Sequence, residues 1–137
     1  MAENLTVLVV DDEPDVCWAL ETLLRKEGFA VVTAGSGSDA LARLRESSFH
    51  LILVDAKLAD IEGIELARQI RAEMGSAVPM VLVSGYFYSD DSVVQDCLRT
   101  GLFNAFVTKP FHHDDVCQAV RKALSTGKTS TSLEPPP

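Results

Sequence analysis

The sequence predicts an α/β protein with a five-stranded parallel sheet that carries helices on both faces. Five short apolar runs alternate with five segments of helical period along the 137 residues. Such alternation is typical of parallel strands joined by right-handed crossovers. Four of the runs end on reactive polar side chains, which are Asp11 and Asp12, Asp55, Ser84 and Lys109. Because ligands bind beyond the carboxyl ends of parallel strands, the pattern predicts one shared crevice.

The individual elements follow from the apolar residues and from the residues that break regular structure. LTVLVV (5–10) is a continuous β-branched run, as expected for a strand that is buried on both faces. Pro14 and the acidic residues beside it suit a helix start, and Gly28 suits its end. The other strands are predicted at 29–33, 50–54, 79–83 and 103–108. The helices are predicted at 14–27, after a cap at Ser36 or Ser38, and at 62–74, 90–100 and 113–124.

Composition and charge restrict the class of protein. The content of 47% hydrophobic and 23% charged residues is that of a soluble globular domain. The net charge of −8 argues against direct binding to nucleic acid, which requires a basic face. No signal peptide is visible, and no apolar run approaches the roughly 20 residues that span a bilayer, so no membrane insertion is expected. Cys17, Cys97 and Cys117 lack metal-type spacing, which predicts small buried side chains in a reducing cytoplasm.

We expect one folded domain over residues 1–125. Residues 126–137 have few large apolar groups and are rich in Ser, Thr and Pro, so they are predicted to be a disordered tail, a linker or a cloning remnant. No output-domain pattern follows Leu124. The sequence leaves open whether the chain is a stand-alone regulator or a fragment of a larger one.

The predicted crevice has the chemistry of a phosphoryl site. Asp11, Asp12 and Asp55 would bring three like charges together, which is costly without a cation. Hard oxygen ligands with no His or Cys among them favour Mg²⁺ or Mn²⁺. Lys109 adds a second positive charge, and Ser84 adds a short donor. A carboxylate can accept a phosphoryl group, and the transfer depends mainly on positioning and charge neutralisation.

Four motifs between Leu5 and Leu124 resemble the receiver domain of bacterial response regulators. In chain order, with helices between them, these are VVDDEPD, LILVDAKLADIEG, VLVSG and AFVTKPF. The resemblance implies a flavodoxin-like, doubly wound (βα)5 fold with strand order 2-1-3-4-5. It also implies a signalling switch that is not an enzyme on other molecules and catalyses only its own phosphorylation and dephosphorylation.

The resemblance assigns the acceptor and the metal ligands. Asp55 is the phosphoacceptor, and its donor is a histidine kinase, a phosphotransfer protein or a small phosphodonor. Mg²⁺ or Mn²⁺ is held by Asp12, Asp55 and the backbone carbonyl of Lys57, with Asp11 helping through water.

The resemblance also assigns the switch. Lys109 pairs with the phosphoryl oxygens, and a cis bond to Pro110 aims the lysine. Ser84 moves to bond the phosphoryl group, and Phe106 then rotates inward. The face formed by the fourth helix, fifth strand and fifth helix changes shape in consequence. That face would control a downstream protein, an output domain that has been removed, or a phosphorylation-linked dimer.

Several positions depart from the usual family pattern. Leu58 and Ala59 stand where Met-Pro is common, which should alter loop rigidity more than chemistry. Lys57 and Tyr86 are expected to border the phosphoryl site and to tune the lifetime of the aspartyl phosphate. Phe106 lacks the hydroxyl that a tyrosine would bring, so no activation step uses that group.

Trp18 and the histidines lie outside these motifs. Trp18 is about half a turn from the apolar stripe of the first helix, so it is expected to be exposed. We interpret it as a contact for the phosphodonor, and the alternative is a ring that lies flat on its own surface. His112 and His113 precede two aspartates in a metal-like order, but they open a helix and are interpreted as a solvated helix start. His50 is likewise predicted to have no metal-binding role.

Three alternative functions depend on particular residues. A haloacid-dehalogenase-type phosphatase needs a second Asp two residues after the first, where this chain has Lys57. A flavin-binding protein of this fold needs a loop rich in Ser, Thr and Gly where this chain has DDEPD. A pseudo-receiver that binds partners without phosphorylation stays open, since an intact site argues against it only loosely.

Overall fold

The computed structural model describes residues 5–75, 77–87 and 90–132, with side chains described as far as Ser125. The five strands form one parallel sheet in the order β2-β1-β3-β4-β5, which confirms the predicted topology. In chain order, the elements are β1 (Thr6–Val10), α1 (Pro14–Lys26), β2 (Ala30–Ala34), α2 (Gly37–Glu46), β3 (Leu51–Asp55), α3 (Gly63–Met74), β4 (Met80–Ser84), α4 (Ser92–Arg99), β5 (Ala105–Thr108) and α5 (His113–Ser132).

Two apolar cores lie on the two faces of the sheet. Strands β3 and β4 are buried at every position, as continuous apolar runs predict for central parallel strands. One core contains Leu20 and Leu24 of α1 with Val116 of α5. The other contains Leu66 of α3 and Phe103, packed against the opposite face of the sheet. Both faces of the sheet are therefore covered by apolar cores.

The start of α2 shows how the loops are fixed. Ser36, rather than Ser38, caps this helix, and its hydroxyl oxygen accepts the backbone N–H of Asp39 at 3.0 Å. The carboxylate of Asp60, in the loop after β3, accepts the backbone N–H groups of Gly37 and Ser38 at 2.9 and 3.0 Å. The β3–α3 loop is thus tied to the start of α2.

Some element bounds differ from the prediction. Strands β2, β3 and β4 each begin and end one residue later than expected, because strand ends depend on hydrogen bonds to the neighbouring strand. Strand β5 begins at Ala105, since the N–H of Phe103 bonds the carbonyl of Cys97 instead of a strand. Helix α5 continues to Ser132, well past the expected end at Leu124. The helix enters the segment expected to be disordered, and residues 133–137 lie outside the described part.

The amino ends of β4 and β5 are cross-linked by side chains from neighbouring elements. The guanidinium of Arg71, on α3, donates to the carbonyl of Val78 before β4 and to that of Leu102 before β5, the latter at 3.0 Å. The side-chain carbonyl of Asn104 accepts the N–H of Met80 at 2.9 Å. The amino ends of β4 and β5, which lie opposite the predicted crevice, are therefore held by polar side chains as well as by the core.

The three cysteines are free. Cys97 and Cys117 are buried, as predicted, and Cys17 is half-buried with its thiol donating to the carbonyl of Asp11 at 3.2 Å. Across the described ranges, no helix has both the length and the apolar character needed to cross a membrane.

Candidate functional site

The carboxyl ends of β1, β3, β4 and β5 converge on one crevice, as their sequences predict. It encloses a cavity of about 330 Å³ that is lined by Asp12, Glu13, Asp55, Lys57, Ser84, Gly85, Tyr86 and Lys109. A larger cavity of about 550 Å³ lies between α3 and α4, away from these strand ends. We assign the functional site to the smaller cavity, because the reactive groups of four strands meet there.

Lys109 stands at the centre of the crevice. Its Nζ lies 2.9 Å from Oδ1 of Asp55, 3.0 Å from Oδ2 of Asp11 and 3.2 Å from Oε1 of Glu13. Burial alone would lower the pKa of Lys109, but its hydrogen bonds to Asp55 and Asp11 outweigh burial and raise that pKa. The ammonium is therefore firmly charged and compensates two nearly buried carboxylates.

Backbone donors fix the remaining oxygens of those two carboxylates. Oδ2 of Asp55 accepts the N–H of Lys57 at 3.3 Å, and Oδ1 of Asp11 accepts the N–H of Glu13 at 2.9 Å. Only 6% of Asp55 and 2% of Asp11 are exposed, so burial raises the pKa of both groups. Lys109 opposes that increase in each case. Both carboxylates are thus oriented before any ligand arrives.

Three carboxylates in the crevice could hold a divalent cation. Asp11, Asp12 and Asp55 each offer one oxygen, and these oxygens lie within 4.8 Å of one another. Asp12 is exposed while the other two are buried, so the cluster is open on one side. An all-oxygen donor set with an open side fits Mg²⁺ or Mn²⁺, which keep several water ligands. The backbone carbonyl of Lys57 stays a predicted further ligand.

The predicted switch residues lie at two places, with Ser84 at the crevice and Phe106 at a separate cavity. Ser84 is buried, and its Oγ accepts the N–H groups of Tyr86 and Phe87 at 2.8 and 2.9 Å, which fixes the start of the loop after β4. Gly85 lines the cavity, and a Cβ placed on it would make an ordinary contact of 3.5 Å with Lys109. Phe106 is half-buried and lines a separate cavity of about 340 Å³ between β5 and α5.

Lys57 and Tyr86 meet at the mouth of the crevice. The ammonium of Lys57 lies 4.7 Å from the centroid of the Tyr86 ring, a cation–π contact. The same ammonium is 3.7 Å from the carboxylate of Glu62. The structure thus brings together two residues that the sequence placed only near the site.

The remaining residues that the sequence drew attention to are Trp18, Pro110 and the histidines. Trp18 is 69% exposed, which confirms its predicted position on the outer face of α1. The Lys109–Pro110 bond is cis. His50 accepts the N–H of Thr6 through Nδ1 at 3.0 Å, and His113 begins α5 and contacts Glu27.

Sequence reasoning missed the contact that Glu13 makes with Lys109. Glu13 lies within DDEPD and was interpreted only as an acidic residue at a helix start. Its side chain instead returns from the N-cap of α1 toward the ammonium at 3.2 Å. The available signal was its position next to the acidic pair.

Comparison with known proteins identifies the class that this fold and site define. A family model described as the response regulator receiver domain matches residues 7–121. The chain is 34% identical over 123 residues to the transcriptional regulatory protein ZraR of Escherichia coli, covering 90% of this chain and 27% of that protein. It is 36% identical over 118 residues to the DNA-binding response regulator MtrA of Mycolicibacterium smegmatis, covering 86% of this chain and 50% of that protein. The chain therefore belongs to the response regulator receiver domain family and spans half or less of these two relatives.

Solved structures agree with this assignment. The response regulator TrrA of Thermotoga maritima, in complex with Mg²⁺ and BeF, superposes with a TM-score of 0.75 at 29% identity over 88% of this chain and 99% of that one. A CheY-like receiver domain protein from Methanospirillum hungatei gives a TM-score of 0.82 at 23% identity over 93% of this chain and 99% of that one, which shows the fold alone. As a receiver domain, the protein is a component of two-component signal transduction.

Proposed function

We propose that Asp55 is the phosphoacceptor of this receiver domain and that its phosphorylation operates the switch. The observation that carries the proposal is the Asp55 carboxylate itself, nearly buried at the end of β3 and 2.9 Å from the ammonium of Lys109. The remaining groups at the cavity are those that a phosphoryl group needs, which are a cluster of carboxylates for a cation and a hydroxyl at Ser84.

In the proposed transfer, an oxygen of Asp55 attacks the phosphorus of a phosphohistidine. A P–O bond forms as the P–N bond breaks, and the histidine keeps the electron pair and takes up a proton. Burial raises the pKa of Asp55, which makes its carboxylate more basic and hence a better nucleophile, while Lys109 favours the ionised form. The unphosphorylated carboxylate of Asp55 is restored when water attacks the phosphorus and releases inorganic phosphate.

Mg²⁺ or Mn²⁺ would be held by Asp12, Asp55 and the backbone carbonyl of Lys57, with Asp11 helping through water, and it would supply charge neutralisation for the phosphoryl oxygens. Lys109 supplies the second positive charge. Because its Nζ already contacts the carboxylate of Asp55, the same ammonium would lie close to the oxygens of a phosphoryl group on that residue. The chain itself thus provides the orientation of these groups and one of the compensating positive charges.

The proposed switch begins at Ser84. Its Oγ now accepts two backbone N–H groups and still has its own proton to donate. Turning that hydroxyl toward a phosphoryl oxygen would weaken its bonds to the loop after β4 and release the start of that loop. Phe106, half-buried within β5, would then move inward, which changes the face formed by α4, β5 and α5.

The partners belong to the same proposal. A histidine kinase or phosphotransfer protein would dock near Trp18, which presents its ring beside the acidic start of α1. We place the reaction in the cytoplasm, since three free thiols suit a reducing compartment. Apart from catalysing its own phosphorylation and dephosphorylation, the domain would have no enzymatic activity.

One comparison bears on the proposed output. The expectation that the protein binds no nucleic acid is unsupported, because one relative is itself a DNA-binding response regulator and this chain spans half of it. The output would be a downstream protein, a further domain or a phosphorylation-linked dimer.

Mass spectrometry after incubation with acetyl phosphate and Mg²⁺ tests the acceptor. We expect an adduct of about 80 Da, one phosphoryl group, on the unaltered protein and none on Asp55→Asn. Asp96→Asn is the matched control, since this carboxylate lies on the surface of α4 and should leave the adduct intact.

Two outcomes would contradict the proposal. An adduct that persists in Asp55→Asn would place the acceptor elsewhere. No adduct on the unaltered protein under forcing conditions would favour a pseudo-receiver that binds partners without phosphorylation.

A further inference from the structure

A second group of metal-ligating side chains lies where α1 ends and α5 begins. It consists of Glu27, His113 and Cys117, and one ligand atom of each lies within 4.8 Å of the others. His113 and Cys117 are four residues apart, so they share one face of α5. Glu27 reaches them from the C-cap of α1, and its Oε2 is 2.9 Å from Nε2 of His113. The sequence could not show this group, because Glu27 and His113 are 86 residues apart.

We propose that these three residues form a binding site for Zn²⁺, separate from the acidic crevice. An imidazole nitrogen, a thiolate sulfur and a carboxylate oxygen are the ligands that zinc takes in proteins, whereas Mg²⁺ selects oxygen. The donor set therefore distinguishes this site chemically from the one formed by Asp11, Asp12 and Asp55. It also gives His113, first interpreted as part of a solvated helix start, a definite role.

The distances suit a tetrahedral ion after small side-chain movements. Zinc bonds of about 2.0–2.3 Å place neighbouring ligand atoms roughly 3.3–3.8 Å apart in a tetrahedron. The His113–Glu27 contact of 2.9 Å has to lengthen by less than about 1 Å for this. The sulfur of Cys117, within 4.8 Å of both other atoms, has to approach by about 1.5 Å at most.

The surroundings leave room for the ion and for a fourth ligand. A cavity of about 210 Å³ beside the group is lined by Glu27 and Cys117 together with Phe29 and Val120. It can admit a water molecule to complete four-coordination. On binding, the thiol of Cys117 loses its proton to solvent, and His113 binds through a neutral Nε2. Arg121 and Asp114 are the charged groups of α5 that act on this thiol.

A bound ion would tie the start of α5 to the end of α1. The two helices already pack on the same face of the sheet around Leu24 and Val120, so the ion would reinforce an existing contact. This inference does not depend on phosphorylation of Asp55, and either can fail without the other.

Calorimetric titration with ZnCl₂, in excess Mg²⁺ to saturate the acidic crevice, tests the proposal. We expect one zinc per chain and a rise in Tm of roughly 5–10 °C at saturating zinc. Co²⁺ in place of zinc should give the near-ultraviolet charge-transfer absorption of a cobalt–thiolate bond. Affinity for either ion should fall by at least about tenfold in His113→Gln, Cys117→Ala and Glu27→Gln.

Matched variants separate this site from adventitious binding. His112→Ala removes the adjacent exposed imidazole, and Cys97→Ala removes another buried thiol, so both should keep the affinity of the unaltered protein. His113→Gln changes a half-exposed side chain and should fold even if Cys117→Ala does not. Zinc binding that survives His113→Gln unchanged, or a cobalt complex without the thiolate absorption, would overturn the proposal.

Discussion

Lys109 sets the resting state of the crevice through three contacts. Its ammonium bridges Asp11, Glu13 and Asp55, so the carboxylates are partly compensated even before a cation binds. The sequence predicted that Lys109 and the strand-end aspartates meet, because parallel strands bring their carboxyl ends to one edge. The strand-end pattern did not include Glu13, because its side chain leaves a helix N-cap and not a strand end.

The cation–π contact between Lys57 and Tyr86 leads to a prediction about the lifetime of the phosphoryl group. Replacing both residues with Ala should open the mouth of the crevice to water and speed dephosphorylation by roughly 3-fold to 10-fold, equal to about 1 kcal/mol of barrier. The measurement is the decay of the adduct on Asp55 after the phosphodonor is removed. Lys26→Ala, an exposed cation at the end of α1, is the control, and an unchanged decay rate in the double variant would refute the idea.

At the scale of elements, the alternation of apolar runs with segments of helical period was sufficient to predict five strands, five helices and their order in the chain. The ends were less predictable, because backbone hydrogen bonds between strands decide where a strand stops. Phe103 illustrates this difference: its apolar side chain suggested a strand, but its N–H bonds α4 and β5 begins two residues later. Likewise, only the folded loop shows that Ser36 caps α2 while Asp60 binds the same helix start.

The packing of α3 on β3 depends on Gly63. A Cβ at this position would lie 2.0 Å from the carbonyl oxygen of Asp55, a backbone atom that cannot move aside cheaply. Gly63→Ala should therefore lower the free energy of unfolding by about 3 kcal/mol or more in urea denaturation. Gly85→Ala is the control, because its nearest contact would be an ordinary 3.5 Å, and equal stability of the two variants would contradict the prediction.

The link between Asp60 and α2 should make stability depend on pH. The N–H groups of Gly37 and Ser38 lower the pKa of Asp60 below its ordinary value of 3.8. A carboxyl group whose pKa is lower in the folded state stabilises the fold above its unfolded pKa, and that contribution is lost as pH falls through the folded value. The Tm deficit of Asp60→Asn should thus be present at pH 7 and shrink below about pH 4.

The control for this measurement is Asp96→Asn, on the surface of α4. Its Tm difference from the unaltered protein should be small at both pH values. A deficit in Asp60→Asn that stays the same at low pH would show that the carboxylate contributes no charge-dependent capping.

At the scale of the whole molecule, Trp18 is the exposed ring on the side of α1 that faces solvent. Trp18→Ala should slow phosphoryl transfer from a histidine kinase to Asp55 by about tenfold, as expected for a buried aromatic contact in an interface. Transfer from acetyl phosphate should not change, since that donor needs no docking. With 69% of the side chain exposed, stability should change by no more than about 0.5 kcal/mol.

Val93→Ala is the control for Trp18, because it removes another exposed apolar side chain from a different helix. Phosphotransfer kinetics from kinase and from acetyl phosphate, measured side by side, separate docking from chemistry. Equal kinase-driven rates for Trp18→Ala and the unaltered protein would show that the ring lies on its own surface without contacting the donor.

The hydrogen bonds of Arg71 restrain the amino ends of β4 and β5 but not their carboxyl ends. Its guanidinium pins the segments before β4 and β5 to α3, while the opposite ends of those strands carry Ser84 and Lys109. A displacement that starts at Ser84 would therefore move the carboxyl ends of these strands more than their anchored amino ends. The largest movement is then expected in the loop after β4 and at the start of α5.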